Sequence, residues 1–178
     1  KPSEGSYKEK GSKFLAFAYP VKTEDEIKEI QKELRKKYYD ARHHVYAFRL
    51  GVEKENYRAS DDGEPANSSG PPVLGQIRSF DLTDILIVVI RYFGGTKLGV
   101  PGLINAYKTA AADALEHAEI IEKTDDAIID VFFEYPQMND VMRIAKEEEV
   151  NQLEHDFQAS CRLRFSIRKS LKEQVLEK

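Results

Sequence analysis

Apolar and polar residues alternate along the first part of this 178-residue chain in the way expected of β-strands. Alternation on both sides of Gly11 and Ser12 predicts a hairpin with strands at 6–10 and 13–21. Thr23 and Glu26 then have the spacing of a helix-capping box, and apolar residues follow with helical periodicity. The second strand has two apolar faces, one carrying Phe14, Ala16 and Ala18 and the other Leu15, Phe17 and Tyr19.

Four further segments complete the first part of the chain. Residues 43–50 have the pattern of a strand, and a short helix is predicted near 73–80. Gly70 followed by two prolines is typical of the entry to a helix. Residues 85–93 are apolar on both faces, which indicates a strand that is buried on both sides. An alanine-rich helix follows, and its core-facing stripe is predicted to be Leu103, Tyr107, Ala110, Ala111, Ala114 and Leu115.

A polar stretch at 122–126 separates these elements from a second set, so we predict two domains, 1–123 and 124–178. The second set reads as a strand at 127–135, a helix, strands near 151–157 and 161–168, and a last helix capped by Ser170 and Glu173. A ferredoxin-like domain needs one more strand than this βαββα order supplies. Either the chain continues beyond Lys178 or the sheet is completed differently.

The strand at 85–93 runs into a glycine-rich turn, 94–102, which opens the long helix. Glycines occur in such turns where the backbone must approach another group closely. Because Arg91, Lys97 and Lys108 surround the turn, that group is predicted to be anionic, with Gly94 and Gly95 contributing backbone. A tight connection whose glycines serve packing alone is the alternative interpretation.

A second polar segment, 58–72, carries the carboxylates of Asp61, Asp62 and Glu64. Long loops without secondary structure are uncommon in compact domains unless they are functional or disordered. Since so much loop backbone needs hydrogen-bond partners, we predict that 60–72 packs beside 94–102 and forms one cleft with it. The three carboxylates could ligate Mg²⁺, although turn formation and solvation are commoner roles.

Other candidate residues lie on predicted strands. His43 and His44 point to opposite faces of one strand, so at most one of them can lie in an anion-binding site, and hydrogen bonding to backbone is the alternative. Arg162, Arg164 and Arg168 share one strand face that could contact phosphate, but a solvated face is the commoner arrangement. The glycine-rich turn lacks the residue order of the P-loop and the dinucleotide-binding fingerprint, and no nucleophile elbow or paired-histidine metal helix occurs.

Three segments resemble the signatures of one family in order and spacing. They are Arg-His-His-Val-Tyr-Ala-Phe at 42–48, Ser-Asp-Asp-Gly-Glu-Pro at 60–65, and Arg-Tyr-Phe-Gly-Gly-Thr-Lys-Leu-Gly-Val-Pro-Gly-Leu-Ile at 91–104. This combination is similar to the IMPACT family of YigZ-like proteins over roughly residues 10–118. The chain departs from the family pattern at 67–70, which read Asn-Ser-Ser-Gly instead of Gly-Thr-Ala-Gly, at Pro101, and at Asn105, where a basic residue is common.

The resemblance implies an α+β protein with two parts. The first is expected to be a two-layer α/β sandwich like that of a small-subunit ribosomal protein and domain IV of elongation factor G. The second is expected to be ferredoxin-like, as is domain V of that factor. Eukaryotic members act in translational control by competing for the activator of the general amino-acid-control kinase. The resemblance therefore implies a regulatory or binding protein that contacts RNA, the ribosome or a translation-control protein through a basic cleft.

An enzyme is the alternative. In that interpretation Asp61, Asp62 or Glu64 is a metal ligand or base, and Arg91 or Lys97 stabilises an anion in an unrecognised hydrolase or transferase. The family has no agreed catalytic residues, and the sequence shows no nucleophile–base pair. A binding role is therefore favoured, with no cofactor expected and Mg²⁺ left as the alternative.

Charge and composition narrow the choice of partner and compartment. Residues 1–123 contain 19 basic and 19 acidic side chains, so the net charge of −4 resides in the second domain. A globally basic nucleic-acid footprint is absent, and any phosphate binding requires a local patch. No apolar run approaches the roughly 20 residues that cross a bilayer. The single cysteine, Cys161, excludes an internal disulfide, which suits the cytoplasm, and its place in an alternating strand predicts a core position.

Overall fold

The computed structural model describes residues 1–157 and 160–177. The chain forms two compact units, Lys1–Ile120 and Ile121–Lys178, which divide three residues before the predicted boundary at 123. The strands of the first unit are β1 (Ser3–Glu9), β2 (Ser12–Pro20), β3 (His43–Leu50), β4 (Asn56–Ser60) and β5 (Ile85–Tyr92), and its helices are α1 (Glu24–Lys37), α2 (Gly70–Ser79) and α3 (Gly99–Glu116).

The five strands of the first unit form one antiparallel sheet in the order β1-β2-β5-β3-β4. The predicted hairpin of β1 and β2 is present, and β5 is inserted between β2 and β3. Val89, near the middle of β5, therefore lies between Ala16 on one neighbour and Val45 on the other. This central position explains why β5 is apolar on both faces, as its sequence predicted.

Helices cover both faces of the sheet. The face with Phe14, Ala16 and Ala18 packs against α2 and α3, and every residue of the predicted α3 stripe is buried there. A Cβ added at Gly5 of β1 would lie 2.2 Å from the backbone N of Ala114, so α3 approaches the sheet as closely as its alanines and this glycine allow. The opposite face, with Phe17, packs against Ile27 and Leu34 of α1. The α+β class is confirmed, and α1 adds a layer on the second face.

Two local features of the first unit differ from the sequence predictions. Residues 56–60 pair with β3 as strand β4, whereas no strand was predicted between residue 50 and the acidic loop. The pattern there, Asn-Tyr-Arg-Ala-Ser, has too few apolar residues to indicate a strand, because β4 is the partly exposed edge of the sheet. Helix α2 begins at Gly70, which confirms the predicted entry but lies three residues before the range predicted near 73–80. Both prolines are in its first turn, where their missing N–H groups cost nothing.

The second unit contains β6 (Asp126–Glu134), α4 (Met138–Glu147), β7 (Asn151–Phe157), β8 (Ser160–Arg168) and α5 (Lys172–Leu176). Its sheet has the order β6-β8-β7, with antiparallel pairing. Cys161 is buried with Leu163 and Phe165 against the helix face of the sheet, as predicted. The predicted cap at Ser170 is wrong, because Ser170 lies in a short 3₁₀ turn and α5 begins two residues later without a side-chain cap. Within the described part of the chain, no helix is long and apolar enough to span a membrane.

Candidate functional site

The acidic loop and the glycine-rich turn meet at one end of the first sheet. They line a cleft of about 370 Å³, and this confirms the prediction that the two segments share a cleft. From the loop come Glu64 and Pro65, and from the strand–helix connection come Arg91 and the residues that follow it. The lining consists of Arg42, His43, Glu64, Pro65, Arg91, Phe93, Lys97, Leu98, Gly99, Val100 and Leu103.

Asp61 organises the acidic loop from within. Its carboxylate accepts hydrogen bonds from the backbone N–H groups of Asn67 at 2.8 Å, Ser69 at 3.1 Å and Gly70 at 2.8 Å, and from the Ser69 hydroxyl at 2.8 Å. Burial alone raises the pKa of Asp61, but the hydrogen bonds from Gly70, Asn67 and Ser69 outweigh it and hold the pKa below its ordinary value. Asp61 therefore closes the loop onto the start of α2.

Asp62 fixes the same loop to the first residues of β3. Its carboxylate accepts the backbone N–H of His44 at 2.7 Å and pairs with Arg35 of α1 at 3.1 Å. Its carbonyl oxygen lies 2.7 Å from Nδ1 of His43, and because a carbonyl can only accept, Nδ1 carries the proton. The other ring nitrogen of His43, Nε2, faces the carboxylate of Glu64.

Glu64 is the buried centre of the site. Its Oε1 accepts a hydrogen bond from Nη1 of Arg91 at 2.5 Å and another from the hydroxyl of Tyr107 at 2.7 Å. The same oxygen lies 3.8 Å from Nε2 of His43. The Glu64 side chain is 3% exposed, so a single carboxylate joins the acidic loop to β5 and α3 away from water. Burial, followed by the neighbouring Glu64, raises the pKa of Tyr107 and keeps its phenol protonated as the donor.

Arg91 is a structural cation as well as a lining residue. Its guanidinium lies 5.6 Å from the ring centres of both Phe14 and Phe93, in addition to its pairing with Glu64. Its side chain is only 7% exposed, and its Nε has no hydrogen-bond partner among the described residues. The charge of Arg91 is therefore neutralised inside the protein by Glu64, whereas its Nε–H group has no acceptor among the described residues.

The glycines of the turn have separate roles. A Cβ on Gly94 would lie 1.9 Å from the carbonyl carbon of Gly11, and the Gly94 N–H donates to the Ser12 hydroxyl at 3.1 Å. The turn is thus packed tightly on the β1–β2 hairpin. For Gly94 this favours the interpretation in which the glycine serves packing and does not contact a ligand. Gly95 has φ +89° with open space around its Cβ position, and Gly99 has φ +72°. Only Gly99 of these three contributes to the cleft.

The structure brings some of the predicted anion-binding residues together and separates others. Arg91, Lys97 and His43 line the cleft. Lys108 is exposed two turns further along α3, and His44 lies on the opposite face of β3, where burial and then the charge of Arg35 lower the pKa of its imidazole. Neither they nor Gly94 and Gly95 line the cleft. Spacing in sequence had grouped Lys108 with the turn, but a helix carries it about 13 Å along its axis from Gly99.

Arg42 is a cleft residue that the sequence did not single out. Arg42 directly precedes His43, which was already a candidate anion-binding residue. This neighbouring position was the one signal in the sequence that could have identified Arg42. Among the residues described, neither Arg42 nor Lys97 forms an ion pair with an acidic side chain. These two are the uncompensated positive charges of the cleft.

The arginines of β8 in the second unit are largely paired within their own sheet. Arg164 bonds to both carboxylate oxygens of Asp130, at 2.9 and 3.2 Å, and this hydrogen bonding lowers the pKa of Asp130. Arg162 pairs with Glu154 at 3.0 Å. The strand face therefore carries compensating charges, which favours the solvated-face interpretation for these two arginines.

The predicted metal ligands do not point at a common position. Asp61 accepts loop N–H groups, Asp62 pairs with Arg35 and β3, and Glu64 bonds to Arg91 and Tyr107. In residues 1–157 and 160–177 no group of three or more His, Cys, Asp or Glu side chains is arranged to hold a metal ion. Each carboxylate already has the donors that a cation would have to replace.

Comparison with known proteins identifies the family to which the sequence motifs around this cleft point. The Impact N-terminal domain model matches residues 10–115. The chain belongs to the IMPACT family. It is 30% identical to the IMPACT family member YigZ of Escherichia coli over 160 residues, which are 89% of this chain and 78% of that protein.

Two further comparisons define the extent of the similarity. The match to the IMPACT family member YvyE of Bacillus subtilis has 37% identity and covers 63% of this chain, but it spans only about half of that protein, 52%. A crystal structure described as that of a hypothetical protein aligns with a TM-score of 0.71 and 28% identity, covering 98% of this chain and 85% of the other. The two-unit fold is therefore shared along nearly the whole chain.

The role of Asp61 predicts a specific pH dependence of stability. Because its pKa is lowered in the folded protein, Asp61 contributes stability above the unfolded pKa, near 4, and that contribution is lost as the pH falls through the lower folded pKa. Asp61→Asn should cost about 1–3 kcal/mol at neutral pH and should differ less from the unsubstituted protein as the pH falls. Denaturant unfolding between neutral pH and pH 3 measures both effects.

Asp25→Asn is the matched control, since Asp25 is an exposed first-turn carboxylate of α1 without a hydrogen bond among the described residues. It should cost less than Asp61→Asn at neutral pH. Equal losses for the two variants would contradict the loop-closing role of Asp61.

The engaged carboxylates also predict the response to magnesium. A ligand that binds only the folded state raises the melting temperature by mass action. Because Asp61, Asp62 and Glu64 already have internal donors, we expect millimolar Mg²⁺ to leave the melting temperature of the protein unchanged in differential scanning fluorimetry. A saturable stabilisation at sub-millimolar Mg²⁺ that Asp62→Asn abolishes would contradict the structural role given to these carboxylates. It would support the metal-dependent enzyme instead.

Proposed function

We propose that this IMPACT family member is a non-enzymatic binding protein of the translation machinery and that its cleft contacts RNA. One observation carries the proposal: two cations that form no ion pair among the described residues, Arg42 and Lys97, line the same cleft as the exposed aromatic ring of Phe93. Phosphate contacts and base stacking are the two elements with which proteins bind single-stranded nucleic acid. The family resemblance supplies the connection to translation.

The charges of the cleft favour a local anionic contact. The one acidic side chain among the described lining residues is Glu64, and it already accepts hydrogen bonds from Arg91 and Tyr107. Because Glu64 neutralises Arg91, the positive charges of Arg42 and Lys97 remain available to an anionic ligand. Since the first domain as a whole has balanced charge, this excess is the kind of local patch that RNA binding requires here.

The exposed ring of Phe93 supports nucleic acid over a purely ionic partner. Phe93 directly follows β5 and is 51% exposed, so its ring is accessible to a ligand in the cleft that it lines. The guanidinium of Arg91 lies 5.6 Å from its ring centre and holds it in the cleft wall. A nucleobase stacked on such a ring gains about 1–3 kcal/mol, independently of sequence.

The lining chemistry supports binding over covalent catalysis. Of the residues that line the cleft in the described structure, none is a serine, threonine or cysteine, so the cleft offers no hydroxyl or thiol nucleophile. The enzyme alternative names Asp61, Asp62 or Glu64 as metal ligand or base. Asp61 and Asp62 hold the loop in place and do not line the cleft, and Glu64, which does line it, already accepts hydrogen bonds from Arg91 and Tyr107. The remaining groups can orient and neutralise an anionic partner.

The proposal predicts a change in the salt dependence of binding. RNA affinity should fall with rising salt, because each neutralised phosphate releases counterions. The double variant Arg42→Ala/Lys97→Ala should reduce the slope of log K against log salt by about two contacts' worth. Fluorescence anisotropy with labelled single-stranded RNA at four salt concentrations gives the slope.

Lys108→Ala is the control, because it removes one exposed lysine of the same domain that does not line the cleft. It should leave the slope unchanged. Salt-independent binding, or no RNA binding at any salt concentration, would contradict the RNA proposal and favour a protein partner.

A further inference from the structure

One residue that lines this cleft keeps a buried donor without a partner. Four buried side-chain polar atoms of the described residues have no hydrogen-bond partner: Nδ1 of His44 and the Nε atoms of Arg49, Arg91 and Arg162. Of these residues only Arg91 lines the cleft. An unpaired buried N–H is unfavourable, and a ligand that supplies an acceptor removes that penalty. Among the described lining residues, Arg91 is thus the one whose buried side chain retains a donor that an acceptor on a ligand could satisfy.

The start of α3 is a second, independent source of unpaired donors in the same cleft. Gly99 and Val100, the first residues of this 18-residue helix, line the cleft, and Leu98 in the N-cap position provides no side-chain hydrogen bond. The first turn of α3 contains no acidic residue. Helix α1 is built in the opposite way, with a Thr23 cap and three acidic residues in its first turn. The positive end of the α3 dipole is thus left for an external anion.

The lining also defines what the anion is attached to. Phe93, Leu98, Val100 and Leu103 give the cleft an apolar side next to the cations, and its volume of about 370 Å³ has room for more than an inorganic ion. A phosphate monoester has up to two negative charges and three acceptor oxygens, enough for Arg91, the α3 N–H groups and a rim cation together. A planar base then matches the exposed ring of Phe93.

We propose that the cleft is a binding site for a nucleoside monophosphate, supplied either as the 5′-phosphorylated end of an RNA strand or as a free mononucleotide. The terminal phosphate lies at the start of α3 against Arg91, with Lys97 and Arg42 at the rim, and the base packs on Phe93. The RNA-end form rests on the proposed function, whereas the phosphate site itself depends only on the unpaired donors and the apolar wall.

The experiment compares four probes on the full chain by isothermal titration calorimetry: 5′-phosphorylated pentauridine, 5′-hydroxyl pentauridine, uridine 5′-monophosphate and uridine. The phosphorylated strand is expected to bind at least about tenfold more tightly than the hydroxyl strand, since charge-assisted hydrogen bonds to one phosphate are worth that much. Uridine is expected to bind more weakly than its monophosphate.

One substitution tests the location of the phosphate. Val100→Asp places a carboxylate on the first turn of α3, where it stabilises the helix and occupies the position of the anion. It should abolish the preference for the phosphorylated strand while keeping or raising the melting temperature. Val52→Asp is the matched control, because Val52 is a 59% exposed valine that follows β3 at the end opposite to His43, and it should keep the preference.

Each result separates the site from the function on which it rests. Equal binding of both strands by the unsubstituted protein, or a preference that survives Val100→Asp, would overturn the phosphate site but would leave RNA binding standing. Monophosphate binding as tight as that of the phosphorylated strand would support the site and would count against RNA as the natural ligand. Failure of all four probes to bind would overturn both.

Discussion

The buried carboxylate of Glu64 is the interaction on which the first unit's cleft depends. It lies in a loop of small and polar residues, yet its side chain is 3% exposed and bonds to Arg91 on the central strand and to Tyr107 on α3. Breaking a buried ion pair by removing one partner typically costs 3–5 kcal/mol, because the other charge is left without compensation. Separating the loop from β5 and α3 would therefore leave the charges of Glu64 and Arg91 without their partners.

The same interaction determines the chemistry of the cleft. Because Glu64 balances the charge of Arg91, the positive charges that remain for a ligand are those of Arg42 and Lys97 at the rim. Asp61 and Asp62 are likewise used for loop structure, the first by closing the loop onto α2 and the second by attaching it to β3. The three carboxylates of the acidic segment thus form a framework that holds the loop against α2, β3, β5 and α3.

Features that produce a periodic pattern of apolar residues were predictable from the sequence. Features that depend on contacts between residues far apart in the chain were not. The two apolar faces of β2, the doubly buried β5 and the α3 stripe were all predictable, because burial imposes a pattern on consecutive residues. Strand β4 was missed since an edge strand needs little apolar content. The ion pair of Arg91 with Glu64 could not be read from the chain, because the two residues are 27 positions apart and no local pattern links them. Lys108 was grouped with the turn by proximity in sequence, which a helix does not preserve.

The central claim is that Glu64 and Arg91 act as one unit that ties the acidic loop to β5, and a double-mutant cycle tests it most directly. Glu64→Leu, Arg91→Leu and the double variant are compared through hydrogen exchange of the β5 amides, which reports the opening free energy of the first unit. The account predicts a loss of about 3–5 kcal/mol for each single variant and a double variant that loses clearly less than their sum. Losses that add within about 0.5 kcal/mol would mean that the two residues act independently and would contradict the account.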